Sequence, residues 1–213
     1  MEERTMEVRS KNNKKVIMKV IPGHFATNHS HINYYVDMTN IKTHHSIAKE
    51  TAKELAEAYM SSMNIDTIIC LEGTEVIGAY LADALTQTGH RSINAGKDIA
   101  VITPEISSNN QMIFRDNIQK SIFGKHILLL IPSISTGKTI KKCSQGLTYY
   151  NGKLVAVSAI FSAVSDYDGI DINYLFSEKD INGYKTMPVD ECELCKAGQK
   201  VDAIVNSFGY SKI

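Results

Sequence analysis

The strongest constraint on the fold is a set of short apolar runs separated by helical patterns. Ile65–Leu71 (IDTIICL), Lys125–Ile131 (KHILLLI) and Leu154–Phe161 (LVAVSAIF) are rich in branched apolar residues. Strands buried on both faces have this composition. Ile99–Thr103, ended by Pro104, is a further strand of the same kind. Between them, Thr43–Met63 carries Ile47, Thr51, Leu55, Tyr59 and Met63 four residues apart, with Lys49, Lys53, Glu54 and Glu57 largely off that stripe. Val76–Gln87 and Thr136–Tyr150 also have a helical pattern. Strands alternating with helices predict an α/β fold with a central, mostly parallel sheet flanked by helices.

Flanking segments are less regular. Val16–Ile21 is read as a short strand ended by Pro22-Gly23. His24–His45 is read as irregular and holds five of the seven histidines, His24, His29, His31, His44 and His45. Solvated loop histidines and a metal site are the two readings, and Asp37 is the one carboxylate near ligand spacing. Glu105–Gly124 is either a mobile flap beside a site or a plain hairpin. The expected organisation is an arm and small N-terminal hood over 1–45, an α/β core over 46–185, and a tail over 186–213 returning to the hood.

Charge narrows the partners. With 23 Lys and Arg against 23 Asp and Glu, the chain has no basic excess for a nucleic-acid backbone or a membrane surface. Met1–Lys15 is polar, without the apolar stretch of a secretory signal. Cys70, Cys143, Cys192 and Cys195 are too scattered for a disulfide framework, so a reducing cytoplasm is expected. Cys192-Glu193-Leu194-Cys195 supplies two of the four ligands of a structural zinc, and no second pair exists. A reduced turn, a redox dithiol and a zinc half-site all remain open, and no metal ligand is assigned.

The chemistry concentrates where the 125–131 strand meets the helix after it. Ser135-Thr136-Gly137-Lys138-Thr139 puts small hydroxyl residues and a glycine at a strand-to-helix junction. Backbone N–H groups converge on an anion there, and the helix dipole adds to the attraction. The alternative is that Ser135 or Thr136 only caps the helix. Gly137-Lys138-Thr139 also fits the end of a P-loop, but Pro132 stands at the place of its first glycine and lacks the N–H the cradle uses. An unrelated hydrolase or kinase would need a nucleophile elbow or an acid pair that this chain lacks.

Taken together, these motifs resemble the type I phosphoribosyltransferase family, orotate-type members above all. Ser135–Thr139 resembles the loop that holds the ribose 5-phosphate. Glu72-Gly73-Thr74-Glu75, leading into Val76–Ala82, resembles the pyrophosphate loop and its helix. Phe25 through Tyr34-Tyr35-Val36-Asp37 resembles the hood, and Cys192-x-x-Cys195-x-x-Gly198 the tail. The resemblance runs in register over roughly residues 20–200. It implies transfer of a phosphoribosyl group from 5-phosphoribosyl-1-pyrophosphate to a base such as orotate in pyrimidine nucleotide metabolism. It also implies Mg2+ as cofactor and a homodimer. Arg115 is then the catalytic candidate, closing over the diphosphate.

Departures from the family pattern matter as much. Ile131 and Pro132 stand where the family has two acids that bind the ribose hydroxyls, Thr103-Pro104 where orotate-type members have Arg-Lys, and Lys138 where the loop has glycine. Loss of the acids favours a binding or regulatory protein that keeps the ribose 5-phosphate pocket without the transfer.

Overall fold

The computed structural model describes residues 2–28, 30–88, 92–108 and 111–213. In chain order the hood comprises β1 (Met6–Arg9), β2 (Ile17–Ala26), β3 (His31–Asp37) and α1 (Thr39–Thr43). The core follows with α2 (His45–Ala56), β4 (Thr67–Cys70), α3 (Glu75–Thr86), β5 (Ala100–Ile102), the hairpin β6 (Glu105–Ile106) and β7 (Met112–Ile113), and α4 (Asp116–Gln119). It continues with β8 (His126–Ile134), α5 (Lys138–Tyr149), β9 (Lys153–Ser162), β10 (Asp166–Tyr167) and β11 (Ile170–Ser177). The tail carries β12 (Thr186–Met187), α6 (Glu193–Lys196), β13 (Ala203–Asn206) and β14 (Gly209–Lys212).

Core strands lie in the order β5-β4-β8-β9-β11, all parallel, with β10 antiparallel at the edge. Their side chains alternate between two apolar layers. Ile68, Cys70, Leu128 and Leu130 face α2 and α3 through Leu55, Ile77, Leu81 and Leu85. Ile69, Leu71, Ile127, Leu129 and Ile131 face α5 through Ile140, Cys143 and Leu147. Helix α3 lies so close to β4 that a Cβ on Gly78 would collide with Cys70 Sγ and stand 3.2 Å from Val101. The turn that ends α2 is anchored by the Tyr59 phenol, which lies 2.7 Å from Ser158 Oγ and donates to Val157 O at 3.1 Å.

The hood and tail share a second sheet, ordered β12-β3-β2-β13-β14, with β1 paired to β2. Two expectations are corrected here. Pro22-Gly23 does not end the first strand; β2 runs on to Ala26, with a register shift between Pro22 and Phe25. Proline is tolerated at such an irregularity, where a ladder bond is missing anyway. His24–His45 is not irregular either: His24 lies on β2, His31 opens β3, and His45 opens α2, whereas His29 lies outside the described residues. Among the described residues no helix is long and apolar enough to cross a membrane.

Glu54 was expected off the buried face of its helix but is only 9% exposed. Its carboxylate accepts a hydrogen bond from Ser10 of the N-terminal arm, while Oε2 has no hydrogen-bond partner among the described residues. Burial pushes this carboxyl above its usual range, and the Ser10 bond only partly opposes that. The folded chain therefore holds the proton more tightly than the unfolded chain, whose glutamates titrate near ~4.3. That contribution to stability is complete below the unfolded value and is lost as pH rises through the folded one. Glu54→Gln is thus expected to be more stable than the parent at pH 7 in urea unfolding. The difference should vanish as pH falls toward the unfolded value.

Candidate functional site

Strand addition changes direction between β4 and β8. The chain forms β4, then β5 on one side of it, then β8 on the other. Loops leaving the carboxyl ends of two such strands diverge to opposite faces of the sheet, and the crevice between them is where ligands bind in open α/β sheets. Here those loops are Leu71–Thr74 and Ser135–Gly137. Both expected phosphate-binding segments therefore meet at one crevice.

The loop after β8 is built to stay open. Ile134 and Ile140 are buried on either side of it, and Ala163 N donates to Ile134 O at 2.8 Å. Between them Ser135, Thr136, Lys138 and Thr139 are exposed. Gly137 is the N-cap of α5 with φ 73°, a left-handed conformation that favours glycine. No side chain caps this helix. The simple capping role for Ser135 or Thr136 is therefore not what the structure shows. The first-turn N–H groups of α5 are left facing solvent beside three hydroxyl side chains. A Cβ on Gly137 would stand 3.7 Å from Tyr167 Cδ2, so the β10–β11 hairpin walls one side of the turn.

The positions of the missing acids are buried. Ile131 is 1% exposed and packs in the α5 layer, and Pro132 is buried beside it. Leu130 O accepts from Leu71 N, so the even-numbered residues of β8 point their backbone groups toward β4. Pairing with β4 ends at Cys70–Leu130. Pro132 therefore lies just past it, where its missing N–H leaves no ladder bond unmade.

The loop after β4 is strained and pinned. Glu72 has φ 53° and Gly73 φ 84°. A left-handed glutamate is disfavoured by about 1–2 kcal/mol. Lys42 of α1, 7% exposed, holds the turn by donating from Nζ to Glu72 O at 3.1 Å and to Ser207 O in the tail. Burial pulls the Lys42 ammonium below its usual range, against the opposing pull of Glu72, Glu75 and Asp37. Thr74 does not face the crevice: it is fully buried, and its hydroxyl donates to Leu71 O at 2.9 Å and Leu130 O at 3.2 Å. Glu75 accepts from Thr103 Oγ1 at 3.0 Å, tying the loop to the end of β5. Burial pushes the Cys143 thiol of α5 up to about 12, and the negative charge of Glu72 adds to it.

Arg115 stands at the foot of the β6–β7 hairpin. Its Nε donates to Glu105 Oε2 and its Nη2 to Glu105 Oε1, both at 2.8 Å. Phe114, buried beside it, stacks edge-on against Tyr150, so the hairpin is rooted in the α5 layer. The segment expected to be a flap or a hairpin is a hairpin whose arginine is already paired.

A magnesium ion implied by the resemblance finds a poor donor set. At the acid positions there is no oxygen ligand, Glu75 is engaged by Thr103, and Glu72 is the remaining carboxylate of the loop after β4. Hard divalent cations take several oxygen ligands, and these residues do not fit one. Sequence reasoning missed Lys42, Tyr167 and the bond from Thr103 to Glu75, which arise from contacts between distant segments and leave no local signal.

No protein-family model matches this sequence, and no curated protein matches it. Solved structures do. A phosphoribosyltransferase from Corynebacterium diphtheriae superposes with a TM-score of 0.55 at 16% identity, covering 76% of this chain and 90% of that one. The Mycobacterium tuberculosis orotate phosphoribosyltransferase in complex with 5-phospho-α-D-ribosyl 1-diphosphate gives 0.52 at 13% identity, over 70% of this chain and 83% of that one. An adenine phosphoribosyltransferase from Leishmania donovani gives 0.50 at 16% identity, over 71% and 73%. The chain has the type I phosphoribosyltransferase fold. At such identities the likeness establishes architecture alone.

Strain at Glu72 yields a prediction. Glu72→Gly removes the left-handed penalty, while added freedom in the unfolded chain takes back about 0.5–1 kcal/mol. The variant is expected to unfold at higher urea concentration, with a net gain of up to about 1.5 kcal/mol. A loss of stability would mean that the carboxylate, not the backbone, sets this turn.

Proposed function

We propose that the crevice between β4 and β8 binds the ribose 5-phosphate group of a nucleoside monophosphate or phosphoribosyl metabolite and does not transfer it. The observation that carries this reading is the uncapped, left-handed Gly137 turn at the point where strand addition reverses. Backbone N–H groups at Gly137, Lys138 and Thr139 would take the phosphate oxygens, as at other helix N-termini. Hydroxyls of Ser135, Thr136 and Thr139 would add donors, and Lys138 a positive charge. Neutral overall charge is no obstacle, because the anion is held by local dipoles.

Binding without transfer follows from the same region. Phosphoribosyl transfer passes through a cationic sugar that preorganised negative charge stabilises. Ile131 and Pro132 supply none, and placing carboxylates there would bury them in the apolar layer. The transfer reading, with orotate as the base and Mg2+ on the diphosphate, retains one supporting feature: Glu72 keeps a carboxylate on the loop after β4. On either reading the protein works in nucleotide metabolism, pyrimidine by resemblance, as a cytoplasmic homodimer.

Calorimetric titration of ribose 5-phosphate and of 5-phosphoribosyl-1-pyrophosphate, with and without magnesium, tests this directly. The expected result is magnesium-independent binding, weakened at least about tenfold in Thr136→Ala and abolished in Gly137→Val, a tenfold loss being about 1.4 kcal/mol. Pyrophosphate release with orotate at about 1 s−1 or faster would overturn the binding-only reading. Failure of every phosphate compound to bind would overturn the site itself.

A further inference from the structure

Four side chains that are far apart in sequence meet where the hood joins the tail. His24 on β2, His31 at the start of β3, and Cys192 and Cys195 flanking the start of α6 each turn one donor atom inward, and these atoms all lie within 4.8 Å of one another. His24 Nε2 is 2.9 Å from His31 Nδ1, 3.5 Å from Cys192 Sγ and 3.6 Å from Cys195 Sγ. Cys195 Sγ is 3.3 Å from His31 Nδ1. His24 and Cys192 are fully buried, and His31 is 8% exposed.

These distances are close to those of a coordination shell. Zinc binds imidazole nitrogen at about 2.0–2.1 Å and thiolate sulfur at about 2.3 Å, which places tetrahedral ligand atoms about 3.3–3.8 Å apart. The three histidine–cysteine contacts, at 3.3–3.6 Å, fall within that range, while the two histidine nitrogens at 2.9 Å are closer than it and the set as a whole spreads to 4.8 Å. The chemistry agrees, since a tetrahedral set of two sulfurs and two nitrogens selects zinc over hard cations. Supporting contacts are also present. Gln199 O accepts from His24 Nδ1 at 2.8 Å, which leaves Nε2 as the lone-pair nitrogen pointing into the cluster. Cys195 N donates to Cys192 Sγ at 3.5 Å, steadying one sulfur. Asp202 brackets His24 from the other side: Oδ2 accepts from His24 N at 2.9 Å and Asp202 N donates to His24 O at 2.7 Å.

We infer that His24, His31, Cys192 and Cys195 form a closed, structural zinc site that clamps the C-terminal tail onto the N-terminal hood. Four protein ligands leave no open position for water or substrate, so the metal serves folding and not catalysis. It cross-links segments 168 residues apart, next to the place where β13 pairs with β2 at Phe25 and Ala26. The sequence conceals this set, because the partner of the Cys-x-x-Cys pair is a histidine pair on a hairpin at the other end of the chain. The inference is independent of phosphate binding.

Elemental analysis of the full chain, purified without chelator, is expected to find one zinc per chain. Cobalt(II) added to the metal-free chain should give the thiolate-to-metal charge transfer and visible bands of a tetrahedral site. Cys195→Ser and His31→Gln should each weaken cobalt binding more than about 10–100-fold, the loss typical of merely removing a supporting contact. Cys143→Ser, which alters a thiol under α5, should leave metal content unchanged. Chelation should lower the melting temperature of the parent chain and not that of Cys195→Ser. A zinc-free chain that gives no charge transfer with cobalt would overturn the inference, as would a Cys195→Ser variant that binds cobalt with parent-like spectrum and affinity. The cobalt spectrum of the unaltered chain keeps the test decisive even if a variant fails to fold.

Discussion

Parallel pairing of Thr67–Cys70 with Ile127–Leu130 sets the geometry on which the site depends. The helices that follow these two strands pack on opposite faces of the sheet, α3 in one apolar layer and α5 in the other. Their connecting loops must therefore separate as they leave the strand ends, and a crevice opens with helix N-termini on both sides. One loop is held by the buried Lys42, whose ammonium joins α1, Glu72 and the tail residue Ser207. The other is held by the apolar anchors Ile134 and Ile140, which leave the turn between them free to present its N–H groups.

Architecture and chemistry diverge at two adjacent residues. The fold matches solved phosphoribosyltransferases over most of the chain, yet Ile131 and Pro132 belong to the core and not to the crevice. Isoleucine there completes the layer under α5, and proline exploits the backbone position that β4 does not reach. Acid residues at these positions would need to face outward, which the present packing does not allow. On the proposed reading, anion binding would rest on backbone groups and tolerate such a change, whereas transfer would rest on side-chain charge that these two residues do not supply.

Much of the core was legible in the sequence for a physical reason. Strands buried on both faces cannot carry polar residues, so β4, β8 and β9 stand out as apolar runs. The hood was harder. β2 continues through Pro22-Gly23 because the irregularity falls where a ladder bond is already missing. β3 mixes His31, Asn33 and two tyrosines, giving no clean alternation. Glu54 is buried although it lies off the expected stripe, because the N-terminal arm packs over it. The β10–β11 hairpin turns at Asp168-Gly169, both with positive φ, a turn signal with strands too short to show a pattern. The exposed turn after β8 was visible as a motif. The Lys42 pin, the Thr103–Glu75 bond and the histidine–cysteine cluster were not, since each joins segments that only the folded chain brings together.

The most direct test of the central claim is an amide-resolved NMR titration with ribose 5-phosphate. The account predicts that the N–H signals of Thr136, Gly137, Lys138 and Thr139 move first and furthest, followed by those of Glu72 and Gly73 across the crevice. Lys97, Lys120 and Lys125 line a separate depression at the opposite, amino-terminal end of the strands. Shifts confined to that cluster, with the Gly137 turn unmoved, would contradict the claim.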